Sequence, residues 1–334
     1  MGEGVLQSSS KGWRDHCVVT SPSPWRFASS RTPTPKQVVF ADNLKRDNLQ
    51  SMLGGIDKVD LVVGIGSGVV TDAAKFIAKA KNAKLLQVPS TASNNACFTR
   101  FAWTFENGAR IPEREIPAPV EIIIDAELVD SAPARMNRAG AAEILCSHTA
   151  LFDWRCGRDA GLDVQWDEDI LQLTLGELAD LENYAPDIAR NSRDAFIKIL
   201  EVGAKFAKGF TTHPKARFNG GSEHILAWGL EAAGNRVIHG EAVTLGILLM
   251  SHIQGNDPEK AAGVVRAAKM AYKPEEMGVT WDDVERVVLN LPEAAKLVPW
   301  YTVLNEFEKR GAEGKKDLAE RYKAAKAFVL NLDS

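Results

Sequence analysis

Excess basic charge is missing from this chain: 40 Lys and Arg stand against 44 Asp and Glu, a formal net charge of -4. A nucleic-acid partner is not expected, because phosphate-backbone binding needs a strongly basic face. No apolar run is long enough to span a membrane, and the first twenty residues lack the basic start and apolar stretch of a secretory signal. Leu6 stands where a myristoylation signal needs Ser or Thr. A cytoplasmic protein without a membrane partner is expected. Cysteine is sparse: Cys17, Cys97, Cys146 and Cys156 are scattered, with no C-x-x-C pair and no zinc-finger spacing. That usage suits buried free thiols in a reducing compartment.

What is present is ordinary globular composition, 45% hydrophobic and 25% charged over 334 residues, enough chain for two domains with separate cores. Between Asp15 and Pro89, short β-branched runs alternate with amphipathic stretches: HCVVT, KQVVFAD, LKRDNLQSML, VDLVVGIG, VVTDAAKFIAKAKN and KLLQVPS. This βαβ alternation predicts a parallel sheet covered by helices. The stretch from Ser21 to Lys36 carries four prolines and four serines where a crossover helix belongs, so an irregular connection is expected there. Asn107-Gly108, between β-prone segments, reads as a hairpin turn, and VEIIID as one more buried strand. From Ala132 onward the periodicity is helical almost to the end, which puts a domain boundary near Ser131 to Arg135. The charged stretch KRGAEGKKDLAERYKAAKA reads as a solvated helix face.

Two groups of residues carry chemistry. VDLVVGIGSGVVTDAAK is a strand, a glycine-rich turn and a helix, an order that lets backbone approach a pyrophosphate while the helix N-terminus supplies N–H donors. Thr71 takes the place of the third glycine of G-x-G-x-x-G, and a tight βα turn without a ligand is the ordinary alternative. VPSTASNN, ending the next strand, sets Ser90, Thr91 and Ser93 where hydroxyls face the same ligand. The second group is Glu143 in AGAAEILCSH, His224 in GSEHILAWGLE and His239 in HGEAVTLGILLM. Two imidazoles and a carboxylate suit Zn²⁺ or Fe²⁺ and leave positions for a substrate oxygen. Each residue alone has an everyday reading on a helix; His16, His148, His213 and His252 have no comparable context and are expected to be structural or surface residues.

Taken in order, GIGSGVVTD, VPSTASNN, AGAAE with TALFDW, GSEH and HGE resemble the iron-containing alcohol dehydrogenase and dehydroquinate synthase-like superfamily, nearest its glycerol-1-phosphate dehydrogenase branch. The likeness spans roughly Val59 to Met250. It implies a Rossmann-like α/β dinucleotide-binding domain over 1–132, an all-α metal- and substrate-binding domain over 133–334, and an active site in the cleft between them. It further implies that Glu143, His224 and His239 bind one divalent metal (Zn, Fe or Ni) and act in catalysis. Gly66, Ser67, Gly68, Asp72, Ser90, Thr91, Ser93 and Thr99 match cofactor-contacting segments for NAD or NADP. A homodimer acting on a small-molecule substrate is expected.

Departures from the branch cluster around the substrate. Its carboxylate ligand is Asp, whereas Glu143 is the choice of the dehydroquinate synthase-like cyclases; an acidic substrate contact becomes Asn95, and a substrate-contacting histidine becomes Trp228. Replacing imidazole by indole removes an acid–base group and adds bulk, which argues against simple transfer of that substrate. The cyclase machinery also looks incomplete, because Cys146 and Trp228 occupy two of its positions. Arg217 matches an arginine of both branches and is a candidate for holding a substrate anion; a surface loop arginine is the everyday reading. Ser21 stands where many members have an Asp that accepts ribose hydroxyls, so both NAD and NADP remain open. The expectation is a metal-dependent NAD(P) oxidoreductase interconverting an alcohol with a ketone or aldehyde on a small polyol or sugar-derived, optionally phosphorylated substrate. The alternatives are a sugar-phosphate cyclase using NAD transiently and a non-catalytic nucleotide-binding relative.

Overall fold

The computed structural model describes residues 1–106, 109–162, 165–213, 215–232 and 237–332. Contacts group the chain into two units: Met1–Asn137 with Phe196–Thr211, and Arg138–Ala195 with Thr212–Ser334.

The first unit is an α/β layer structure. Its elements run α1 (Val5–Ser9), β1 (His16–Thr20), α2 (Pro22–Ala28), β2 (Gln37–Phe40), α3 (Arg46–Gly54), β3 (Leu61–Gly66), α4 (Gly68–Lys81), β4 (Lys84–Pro89), β5 (Ala102–Glu106), β6 (Ala109–Glu113), β7 (Glu121–Ile122) and α5 (Ala126–Asp130). Five strands form one parallel sheet in the order β2-β1-β3-β4-β7. Successive strand side chains point to opposite faces, and the burial follows: Cys17, Val19, Val62 and Leu85 pack with Leu49 and Ile77, whereas Val18, Val63, Leu86 and Val88 pack with Leu6, Ala28 and Leu128. Covering both faces explains why these strands are apolar runs instead of alternating ones.

The chain leaves β1 for β2 on one side and then returns to place β3 on the other. The carboxyl ends of β1 and β3 therefore flank the point at which strand order reverses, where open α/β sheets bind ligands.

Three expectations are corrected or refined. The proline-rich stretch is not irregular throughout, because α2 occupies Pro22–Ala28. Pro22 and Pro24 fall in its first turn, where backbone N–H groups have no intrahelical acceptor and their loss costs nothing. The strand expected at VEIIID is only the two residues of β7, exposed and half-buried; burial begins at Ile123 and Ile124. Asp125 then ends it by capping α5, its side chain accepting from the N–H groups of Glu127 and Leu128. Strands β5 and β6 pair antiparallel as expected of a hairpin, and the turn residues Asn107-Gly108 lie outside the described residues.

Helix α6 (Ala134–Ala139) leads into the second unit, which the described residues build from helices: α7 (Ala142–Leu145), α8 (Ser147–Asp159), α9 (Glu168–Ala189), α10 (Arg193–Thr212), α11 (Ser222–Ala232), α12 (His239–Gln254), α13 (Pro258–Ala267), α14 (Trp281–Ala295), α15 (Val303–Lys309) and α16 (Gly311–Leu330). Of α10, Phe196–Thr211 groups with the first unit. Helix α12 is buried along almost its whole length and is the axis of the unit, packed on α7, α8, α11, α13 and α16. The charged α16 buries only Gly314, Leu318, Tyr322, Ala325 and Val329, a stripe at helical spacing. No helix of the described residues is long and apolar enough to cross a membrane.

Candidate functional site

In the first unit the glycine-rich turn joins the centre of the sheet to α4. Ser67 is the N-cap of α4 in an extended conformation, and its side chain makes no capping bond, so the first-turn amides stay available. A Cβ on Gly66 would stand 2.5 Å from Val70 Cβ, so the turn can close this tightly only without a side chain there. Thr20 Oγ1, at the end of β1, donates to Ile65 O at 2.7 Å, and Ser90 N–H, leaving β4, donates to Gly66 O at 3.0 Å. The turn is thus tied to both neighbouring strand ends.

The hydroxyl-rich loop lies against this turn: a Cβ on Gly68 would stand 3.3 Å from Asn94 Nδ2. Thr91 Oγ1 and Ser93 Oγ share a hydrogen bond of 2.7 Å, Asn94 Nδ2 donates to Ser93 Oγ, and Ala92 N–H is held at 2.8 Å by Asn137 Oδ1. Asn95 precedes a 3₁₀ turn over Ala96–Phe98, its carbonyl accepting from Phe98 N–H.

Asp72 and Thr99 belong to a different layer. Both bind the ammonium of Lys75, which is fully buried and donates to Asp72 Oδ1 at 3.0 Å, Thr99 Oγ1 at 3.0 Å, and the carbonyls of Ala96 and Phe101 at 2.7 Å each. The other Asp72 oxygen accepts from Trp103 N–H. These two residues fasten the loop to α4 from beneath. Sequence reasoning missed Lys75, whose acceptors on the loop after β4 only the tertiary structure brings to it.

In the second unit Glu143, His224 and His239 come together from α7, α11 and the first turn of α12, with one potential ligand atom of each within 4.8 Å of the others. Glu143 Oε1 lies 3.5 Å from His239 Nε2, and the imidazole centroids are 5.4 Å apart. This donor set, one carboxylate oxygen and two imidazoles, fits a borderline divalent cation with room for a fourth ligand. Small residues let the elements approach. A Cβ on Gly240 would stand 2.2 Å from Ala139 O, and one on Gly246 would stand 2.6 Å from Glu223 O.

Behind this cluster lies a buried polar layer that the sequence did not expose. Glu223 is fully buried and accepts from Gly221 N–H at 2.7 Å, Thr149 Oγ1 at 2.8 Å and His224 Nδ1 at 2.8 Å. Asp153, within TALFDW, accepts from Ser222 N–H at 2.7 Å and Val303 N–H at 2.8 Å, anchoring the start of α11. Burial first, and the nearby Glu223 second, push its carboxyl up to about 6. Asn219 Nδ2 donates to Glu143 O at 2.5 Å. Cys146 is fully buried, its Sγ bonded to the carbonyls of Glu143 and Asn219, and burial raises its thiol well above the ordinary range.

The two remaining candidates differ. Trp228, one turn after His224, sets its ring 6.0 Å from that imidazole and 5.2 Å from Trp300, whose place only the tertiary structure reveals. Arg217 is not a surface loop arginine: it is 1% exposed, and its Nη2 donates to the carbonyls of Asp153 and Tyr301. That one nitrogen joins α8 to the segment before α15.

A family profile for iron-containing alcohol dehydrogenase matches residues 29–133. The glycerol-1-phosphate dehydrogenase [NAD(P)+] of Aeropyrum pernix is 29% identical over 271 residues, covering 80% of this chain and 74% of its own. That of Hyperthermus butylicus is 29% identical over 300 residues, covering 86% and 84%. Among solved structures, glycerol dehydrogenase from Schizosaccharomyces pombe has a TM-score of 0.75 at 19% identity, covering 99% of this chain and 89% of that one. A probable glycerol dehydrogenase from Sinorhizobium meliloti 1021 also has a TM-score of 0.75, at 18% identity, covering 98% and 96%. With the parallel sheet, its glycine turn and the carboxylate–histidine cluster, these likenesses point one way: the chain is similar to iron-containing alcohol dehydrogenases over residues 29–133 and to glycerol-1-phosphate dehydrogenases over most of its length, and it shares the fold of the glycerol dehydrogenases.

Proposed function

We propose that this protein is a metal-dependent NAD(P)-linked oxidoreductase that interconverts an alcohol and a ketone or aldehyde on a small polyol or sugar-derived substrate, phosphorylated triols of the glycerol-1-phosphate kind included. The observation that carries the reading is the convergence of Glu143, His224 and His239. When bound, a divalent cation supplies Lewis acidity at the reacting oxygen and a nicotinamide supplies or accepts the hydride. In this reading Glu143, His224 and His239 hold the cation. Gly66, Ser67, Gly68, Ser90, Thr91 and Ser93 receive the dinucleotide phosphates, while Asp72 and Thr99 act through Lys75 to hold that loop. Arg217 braces the backbone through Nη2, which serves two carbonyls, and stays assigned to the substrate side. Asn95 and the indole of Trp228 are assigned to the substrate side.

The cyclase alternative is disfavoured by Cys146 and Trp228. A buried thiol raised well above its ordinary range and an indole offer no proton-transfer group where that chemistry uses lysine and histidine. The reading includes a cytoplasmic homodimer; four free cysteines suit a reducing compartment, and light scattering tests the dimer.

Metal content and a substrate panel test the function together. The wild-type chain is expected to carry one divalent ion and Glu143→Ala to lose it; with Zn²⁺, Fe²⁺ or Ni²⁺, polyols and polyol phosphates should yield net reduced NAD or NADP. Phosphate release without net cofactor reduction supports the cyclase, and nucleotide binding without reaction supports the non-catalytic relative. Unchanged metal content in Glu143→Ala refutes the site.

A further inference from the structure

Each imidazole of the metal cluster has a carboxylate on its far nitrogen. His224 Nδ1 meets Glu223 Oε1 at 2.8 Å, and His239 Nδ1 meets Glu231 Oε1 at 2.7 Å. An ionised carboxylate only accepts, so both Nδ1 atoms carry a proton, and in the neutral imidazole that a metal binds Nε2 is then the atom with the lone pair. His239 Nε2 is the atom that stands 3.5 Å from Glu143 Oε1.

The two carboxylates are not equivalent. Glu223 is fully buried and accepts from three groups, including a backbone N–H beside the start of α11, so its removal disturbs the helix as well as the imidazole. Glu231 lies in the last turn of α11, and its side chain is 19% exposed. Through the bond to His239 it connects the end of α11 to the beginning of α12.

We infer that Glu231 is a positioning residue that locks His239 in the Nδ1–H tautomer and fixes its ring orientation, and so sets how tightly and how durably the site holds a divalent cation. This rests on the reading of Glu143, His224 and His239 as metal ligands. The carboxylate raises the basicity of Nε2 and removes the rotational freedom that His239, at the N-terminus of its helix, would otherwise lose on binding the ion.

The test uses the full chain, stripped of metal, as wild type, Glu231→Ala, Glu231→Gln and Glu143→Ala. Zn²⁺ and Co²⁺ affinities are measured by competition with a chromophoric chelator, the Co²⁺ visible bands report ligand geometry, and thermal midpoints are recorded without metal. Glu231→Ala is expected to weaken Zn²⁺ binding by about 10–100-fold and to alter the Co²⁺ bands while leaving the metal-free midpoint near wild type. Glu231→Gln, which keeps an acceptor oxygen without the charge, should lose less and recover the band shape. Wild-type affinity in Glu231→Ala overturns the inference, as does a loss of affinity matched by an equal fall in the midpoint of both Glu231 variants. If Glu143→Ala also binds like wild type, the metal-site reading itself has failed; if Glu143→Ala loses the ion and Glu231→Ala does not, only the role of Glu231 has.

Discussion

Lys75→Met is the most demanding perturbation of the nucleotide half of the protein. The ammonium is fully buried and distributes its three N–H donors over Asp72, Thr99 and the carbonyls of Ala96 and Phe101, all at 2.7–3.0 Å. Met keeps most of the methylene packing, so the change isolates the charge. What remains is the Asp72 carboxylate, 7% exposed, with the Trp103 N–H still donating to it. Breaking a buried pair from one side costs about 3–5 kcal/mol, because the surviving charge is uncompensated. For a unit of this size that corresponds to a fall of roughly 6–20 °C in thermal midpoint. Calorimetry of the full chain measures it, and the dissociation constant for NAD or NADP reports whether the Ser90–Thr99 loop loses its place. The double variant Asp72→Asn/Lys75→Met removes the orphaned charge and should recover at least about 1 kcal/mol relative to the sum of the single changes. A shift below about 2 °C for Lys75→Met, or strict additivity in the double variant, would refute the argument that this ion pair fastens the loop.

Further perturbations probe the helical unit. Gly240→Ala should cost on the order of 1–3 kcal/mol or more and weaken metal binding, since the new methyl would meet the Ala139 carbonyl at 2.2 Å and push His239 away from Glu143; calorimetry and metal titration read both. Asp153 has its carboxyl raised from 3.8 to about 6, mainly by burial, so the fold disfavours its charged form. Its contribution is present in full below about pH 4 and lost as pH rises through about 6, worth about 3 kcal/mol. The advantage of wild type over Asp153→Asn in denaturant unfolding should therefore shrink by that amount between pH 4 and pH 7; an advantage that grows with pH contradicts the assignment. Trp228→His should restore an acid–base group beside His224 and change the ranking of substrates in kcat/KM without changing metal content.

Much of the nucleotide unit was legible because its signals are local. Runs such as HCVVT and VDLVVGIG report strands buried on both faces, and a glycine turn between strand and helix reports its own geometry within a few residues. The stretch from Ser21 to Lys36 departs from the irregular connection expected of its four prolines because two of them fall in the first turn of α2, where proline is tolerated. The grouping of Glu143, His224 and His239 was legible only as an ordered set of motifs that together carry a family likeness, since no single histidine announces its partners.

By itself, the sequence determined the α/β layer and the helical remainder, for those follow from local periodicity, and only its likeness to a family pointed to Glu143, His224 and His239. Tertiary structure decided what surrounds them: the carboxylates behind each imidazole, the burial of Arg217, the indole of Trp300 beside Trp228, and the four-way hold of Lys75. Apart from Glu223 and His224, which adjoin in the chain, and Asp72 and Lys75, which share α4, these partners lie on different helices or loops or at opposite ends of one. In the helical unit, how the imidazoles meet their partners depends on how closely α11, α12 and the turn at Ala139 pack, an approach that Gly240 and Gly246 permit and no local pattern encodes.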